Sequence, residues 1–154
     1  MKKAFPFKKL YFVWERFGGG ATMGCYQPLI VCRKLNIPAE VINKRALIKR
    51  DIRNSAIFLF KIRLGQGDVN KLKNNNNILA FYPGDGNISM LLDYFKNTRN
   101  IDGIIVGSEN FQNRIKKLNT SAKSTVIPAN HDYFIDPKTF KSEREKEFRL
   151  YFGG

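Results

Sequence analysis

The sequence predicts an α/β domain of three layers, in which helices cover both faces of a mainly parallel β-sheet of about six strands. Short apolar runs recur along the chain, stretches of helical character lie between them, and no segment repeats another. A strand buried on both faces reads as an unbroken apolar run, and strands alternating with helices build a parallel sheet. The 154 residues, 43% of them hydrophobic, are enough for one such domain with a proper core.

Leu10 to Trp14 is the first strand, and it leaves the sheet through Glu15, Arg16, Phe17 and the glycines Gly18, Gly19 and Gly20. From Gln27 to Leu35 an apolar face runs through Leu29, Ile30, Cys32 and Leu35. Pro28 fits only a first helical turn, so this helix starts late or is kinked. Ala39 to Ile42 is a short second strand and Ser55 to Ile62 a longer third; their apolar character places both centrally in the sheet. Gly67 to Lys73 is a short helix, and Asn74 to Asn77 a turn whose asparagines reflect biased composition. Ile78 to Tyr82 is the fourth strand, stopped by Pro83 and Gly84. Asn87 can cap a helix with Met90, Leu91, Tyr94 and Phe95 on one face. Gly103 to Val106 is the fifth strand, Ser108 caps a helix reaching Leu118, and Thr125 to Ile127 is the sixth strand.

The tail departs from this rhythm. Residues 136–146 are polar and charged, and Phe148 to Phe152 then begins a new apolar strand before Gly153 and Gly154. A domain does not start a core strand at its last residues. The expected organisation is a first domain over 1–135, a linker over 136–146, and over 147–154 the first strand of a second domain. The alternative is a last edge strand of the same sheet.

Against 13 Asp and Glu stand 27 Lys and Arg, a formal charge of +14. Such a surface attracts anions: lipid head groups, nucleotide phosphates or nucleic acid. The clusters at Lys2, Lys3, Lys8 and Lys9, and around Lys44, Arg45, Lys49, Arg50 and Arg53, read as a solvated face or as a patch toward an anionic membrane. Cys25 and Cys32 suit reduced packing thiols, which points to the cytoplasm. Lys8 and Lys9 split the apolar start, so neither a signal peptide nor a transmembrane helix is read. There is no zinc-ligand spacing, no nucleophile elbow and no P-loop lysine, and neither a metal nor a cofactor is expected.

Ligands of open parallel sheets gather at the carboxyl ends of the strands. The candidates there are Glu15, Asn43, Arg63, Tyr82, Asn87, Ser108, Glu109 and Asn130. Gly18, Gly19 and Gly20, followed by Gly24, let backbone N–H groups approach a phosphate, or else serve a loop that needs positive φ. Their GxGxxxG spacing also admits a dinucleotide, but the ribose-binding acid is replaced by Asn43, Lys44 and Arg45, which would suit only a 2′-phosphate. Asp85, between two glycines, can accept a proton or a sugar hydroxyl, or is a turn former. His131, the only histidine, is a general base or ligand-orienting group, or lies in a surface turn.

The first strand and Phe17-Gly18-Gly19-Gly20 lead through Arg33-Lys34-Leu35-Asn36-Ile37-Pro38 to Glu40-Val41-Ile42; Asp102 to Glu109, Val126 to Asp132 and Phe148 to Gly154 follow. Taken in order, these motifs resemble the Rossmann-like amino-terminal domain of GT-B nucleotide-sugar-dependent glycosyltransferases, the family of glycogen-synthase-like and lipopolysaccharide enzymes. The resemblance spans almost the whole chain. It departs at Asn130 and His131, where the family's exit motif has Gly and a hydrophobic residue, and after the fourth strand, where Tyr82 or Asp85 replaces a histidine.

The resemblance implies the acceptor-side half of a transferase that moves a sugar from a nucleotide sugar to a glycan or lipid-linked acceptor. Gly18, Gly19 and Gly20 would face the donor diphosphate, and Asp85 and His131 would be the catalytic candidates. Glu15, Arg63, Tyr82, Asn87, Ser108, Glu109 and Asn130 would line the cleft. Donor-binding acids belong to the second domain in this family, so the fragment alone would be inactive. A cytoplasmic enzyme peripheral at the inner membrane face would result, with no specific nucleic acid as partner. The alternatives are a basic nucleic-acid-binding α/β module, for which the Tyr and Phe residues lie inside apolar runs, and a dinucleotide-binding Rossmann domain.

Overall fold

The computed structural model describes residues 6–16, 22–83, 91, 94, 100–117 and 122–127. Six strands, β1 (Leu10–Trp14), β2 (Ala39–Asn43), β3 (Ala56–Phe60), β4 (Ile78–Tyr82), β5 (Gly103–Val106) and β6 (Lys123–Val126), form one sheet in the order β2-β1-β3-β4-β5-β6. Every pairing is parallel. The fold is therefore the Rossmann-like α/β arrangement that the alternating sequence predicts. Between the strands lie α1 (Gln27–Lys34), α2 (Lys44–Lys49) and α3 (Gln66–Asn74), and α4 (Glu109–Lys116) joins β5 to β6.

Winding reverses at β1, which pairs with β2 on one side and with β3 on the other. Right-handed crossovers then send the β1–β2 helix to one face and the later helices to the opposite one. The two cores follow this rule. Phe12 packs with Cys25, Leu29 and Cys32 of the first helical segment, and with Phe58 and Phe60 of β3. Val13 faces the other way, among Ile57, Leu59, Leu79, Ile104, Val106 and the helix residues Leu47, Val69, Leu72 and Ile115. Leu91 and Tyr94 are helical and join this larger core.

Pro28 and the turn before it govern α1. Residues Thr22–Tyr26 form a π-helical turn, and α1 takes over with Pro28 in its first turn. Proline has no N–H to continue the earlier ladder, so the change of hydrogen-bond register falls where nothing is lost. The buried set is Cys25, Leu29 and Cys32, spaced by four and three. Ile30 and Leu35, expected inward, are 52% and 64% exposed. Gly24 lies against the Phe60 ring, with no room for a Cβ. Both cysteines are free; burial pushes the Cys25 thiol up to about 12, and its Sγ donates to the Val13 carbonyl at 3.6 Å.

Two further expectations need correction. β2 is an edge strand rather than a central one, with only Ile42 buried. Glu40, on this edge, takes Lys9 Nζ at 2.9 Å and Arg50 Nη1 at 2.6 Å, and these two cations hold its carboxyl below the usual range. β3 ends at Phe60 because Lys61 adopts φ 56°, although Ile62 and Leu64 beyond it stay buried. The run 128–154, which includes the expected linker and second-domain strand, lies outside the described residues.

The asparagine turn has a structural role that composition hides. Asn77 is 1% exposed; its Oδ1 accepts from Ser55 N at 3.0 Å, and its Nδ2 donates to the carbonyls of Ile52 and Leu72, each at 2.8 Å. Asp102, just before β5, accepts from Lys73 Nζ at 2.6 Å and from Leu79 N at 2.8 Å. β4 and β5 share only two registered pairs, Ala80 with Gly103 and Phe81 with Ile104.

Replacing Asn77 by Ala leaves one N–H and two carbonyls buried without their partner, so Asn77→Ala should cost about 2–4 kcal/mol. Urea unfolding of the variant beside the parent chain checks this. A change below about 0.5 kcal/mol would refute the bracket role.

Candidate functional site

The carboxyl ends of the strands bring Trp14 and Glu15, Asn43, Tyr82 and Gly107 with Ser108 to one rim of the sheet. At the β1 and β2 ends this rim opens into a cleft of about 490 Å³, lined by Trp14, Glu15, Asn43, Lys44, Arg45, Ile48 and Lys49. A volume of this size suits a small organic ligand.

α2 builds one wall. Asn43 caps it, its Oδ1 accepting from Ala46 N at 2.7 Å. Leu47 anchors the helix in the larger core, 0% exposed. Arg45, Ile48 and Lys49, spaced by three and four, turn toward the cleft. Trp14 and Glu15, at the end of β1, supply the opposite wall. The Lys44 ammonium donates to Glu15 Oε1 at 2.9 Å. Arg45 and Lys49 make no ion pair among the described residues. The cleft therefore carries three cations and one carboxylate, and that carboxylate already has its counter-ion.

The expected cleft residues separate into groups. Glu15 lines the cleft through its pair with Lys44. Arg63 is exposed beyond β3 and does not line it. Tyr82 is half-buried, its ring stacked on Phe60 at 5.1 Å and 8°. Its hydroxyl oxygen would lie 3.9 Å from a Cβ at Gly107, which puts Tyr82 and the start of α4 side by side. Ser108 is a helix cap, its Oγ accepting from Phe111 N at 3.3 Å. Glu109 is exposed in the first turn of that helix. Gly18, Gly19, Gly20, Asp85, Asn87, Asn130 and His131 lie outside the described residues.

Sequence reasoning placed Lys44, Arg45 and Lys49 in a solvated or membrane-facing basic patch and weighed Lys44 and Arg45 against a dinucleotide, but did not bring them together with Trp14 and Ile48 in a cleft. The signal was present: an asparagine closing β2, followed by Lys-Arg-x-x-x-Lys, is a capped helix with cations on one side. Among the described residues no group of His, Cys, Asp and Glu could hold a metal ion, and no helix is long and apolar enough to cross a membrane. The chain matches no protein-family model, no curated protein and no solved structure.

Because the Ser108 hydroxyl is engaged as a cap, Ser108→Ala should lower stability by about 1 kcal/mol while Ser108→Asp preserves it. Thermal melts of the two variants test this. Equal loss in both would mean that the hydroxyl is needed for something other than capping.

Proposed function

We propose that this chain is the acceptor-side half of a nucleotide-sugar-dependent glycosyltransferase. The observation that carries the reading is the cationic cleft at the carboxyl ends of β1 and β2. Glu15 on its wall is separated from Gly18, Gly19 and Gly20 in the chain by only Arg16 and Phe17. A parallel sheet binds ligands at this rim, and glycines directly after the first strand suit close approach of a diphosphate.

In this reading the glycines face the donor diphosphate, and the cleft at the ends of β1 and β2 holds the acceptor. Catalysis is mainly positioning and charge stabilisation, since two substrates held in reacting geometry have already met the entropic cost of encounter. Asp85 and His131 are the proton-handling candidates. Residues 136–146 link to a second domain that begins near 147 and binds the nucleotide. The nucleic-acid reading has less support: Phe12, Phe58, Phe60 and Tyr82 are in ring contact with one another. Exposed stacking platforms interleaved with Arg are what single-stranded nucleic acid requires.

The glycine loop is tested by Gly19→Ala and Gly19→Val in the complete enzyme, with melting temperature recorded beside transfer activity and donor affinity. A Cβ there would take the space of a phosphate oxygen, so activity should fall while the melting temperature holds. A parallel fall in both would assign the glycine to backbone conformation alone. Full activity in the valine variant would end the phosphate role.

A lipid-linked acceptor implies contact with a membrane surface. α1 exposes Ile30 and Val31 with Lys34, Tyr26 in the turn before it is exposed too, and α1 carries no acidic residue. Anionic vesicles should therefore float the protein at low salt, and added salt should release it. No flotation at low salt removes this contact.

A further inference from the structure

We propose that the cleft at the carboxyl ends of β1 and β2 binds a ligand bearing a phosphate group beside a ring-shaped or apolar body. Arg45 and Lys49 take the phosphate, and the body lies along Trp14 and Ile48. The role of this ligand as acceptor rests on the glycosyltransferase reading: the acceptor is then a phosphorylated molecule and not a neutral glycan. Its binding does not depend on that reading.

Charge distribution carries the argument. Of the three cations in the cleft, Lys44 is committed to Glu15 at 2.9 Å. This pair satisfies the one acidic group on the lining and leaves Arg45 and Lys49 to meet an incoming anion. Both are exposed, four residues apart on a helix whose buried Leu47 fixes its rotation, and both line the cleft. A guanidinium offers paired donors in a fork that matches phosphate oxygens, and an ammonium beside it adds a point charge. Between them Ile48 is half-buried, and Trp14 opposite presents a half-buried aromatic surface. A bare anion would leave that apolar wall unused; a neutral sugar would leave the two cations unused.

The same chemistry could come from a soluble sugar phosphate or from the phosphate of a lipid. Trp14 is the only tryptophan in the chain, so intrinsic fluorescence reports from the cleft wall itself. Glucose 1-phosphate and a short-chain monomeric phosphatidic acid are titrated separately, with glucose as the uncharged control. A saturable change in emission is expected with at least one phosphate and none with glucose. Response to the sugar phosphate alone assigns a soluble ligand, and response to the phosphatidic acid alone assigns a lipid phosphate.

Arg45→Gln and Lys49→Gln should each weaken the response by about tenfold with unchanged melting temperature. Arg114→Gln, an equal loss of charge on α4, should leave it unaltered. The proposal is overturned if neither phosphate gives a saturable change, if glucose matches them, or if Arg114→Gln weakens the response as much as the cleft variants. A complete enzyme that transfers sugar to neutral glycans without any Trp14 response would overturn the phosphate site and keep the transferase reading. One that binds the phosphate but transfers nothing would do the reverse.

Discussion

β1 has a strand on each side and a core on each face, and the rest of the architecture depends on meeting both demands at once. Phe12 and Val13 are neighbours in the chain yet are buried in different clusters. The first helical segment must therefore reach one face and all later helices the other. Close approach on the smaller face is secured by Gly24 against Phe60 and by the Cys25 thiol donating to the carbonyl of Val13. With its pKa raised by burial, that thiol keeps its proton and remains a donor.

The strands were legible because runs such as Ile78 to Tyr82 and Gly103 to Val106 are apolar without interruption, although in each only alternate residues, on one face, are fully buried. Position within the sheet was not. The five residues of β2 read like those of a central strand, and only the partners reveal that Glu40 sits on an open edge. The inward side of α1 was misread for a different reason: Ile30 follows buried Leu29 directly instead of lying three or four residues from it, and Leu35 is the cap beyond the helix end. α2 escaped notice because six residues with one core leucine leave no periodicity to detect. Of the cleft, Glu15 was accessible from its place after a strand, whereas Trp14 and Lys49 line one cleft only because α2 packs beside β1.

The two rims of the sheet are treated differently. At the amino-terminal rim, Asn77 ties the start of β3 to α3, and Asp102 ties the start of β5 to α3 and β4. Polar groups there are consumed by one another, as buried or half-buried polar groups must be. At the carboxyl rim, beside the cleft, cations are left over. Among the described residues, mutually paired polar groups lie where no ligand is read, and unpaired charge lies where one is.

The narrow pairing between β4 and β5 gives this sheet a seam. Five registered pairs join β3 to β4, and only two join β4 to β5. Face coverage is uneven there too: Leu79, Phe81, Ile104 and Val106 are buried on one side, while Ala80, Tyr82 and Ile105 on the other are half-exposed. β5, β6 and α4 thus join the rest of the sheet through a short contact, which Asp102 reinforces by accepting from Lys73 and the Leu79 amide. With fewer registered pairs to break, separating β5 from β4 costs less backbone hydrogen bonding than separating β4 from β3.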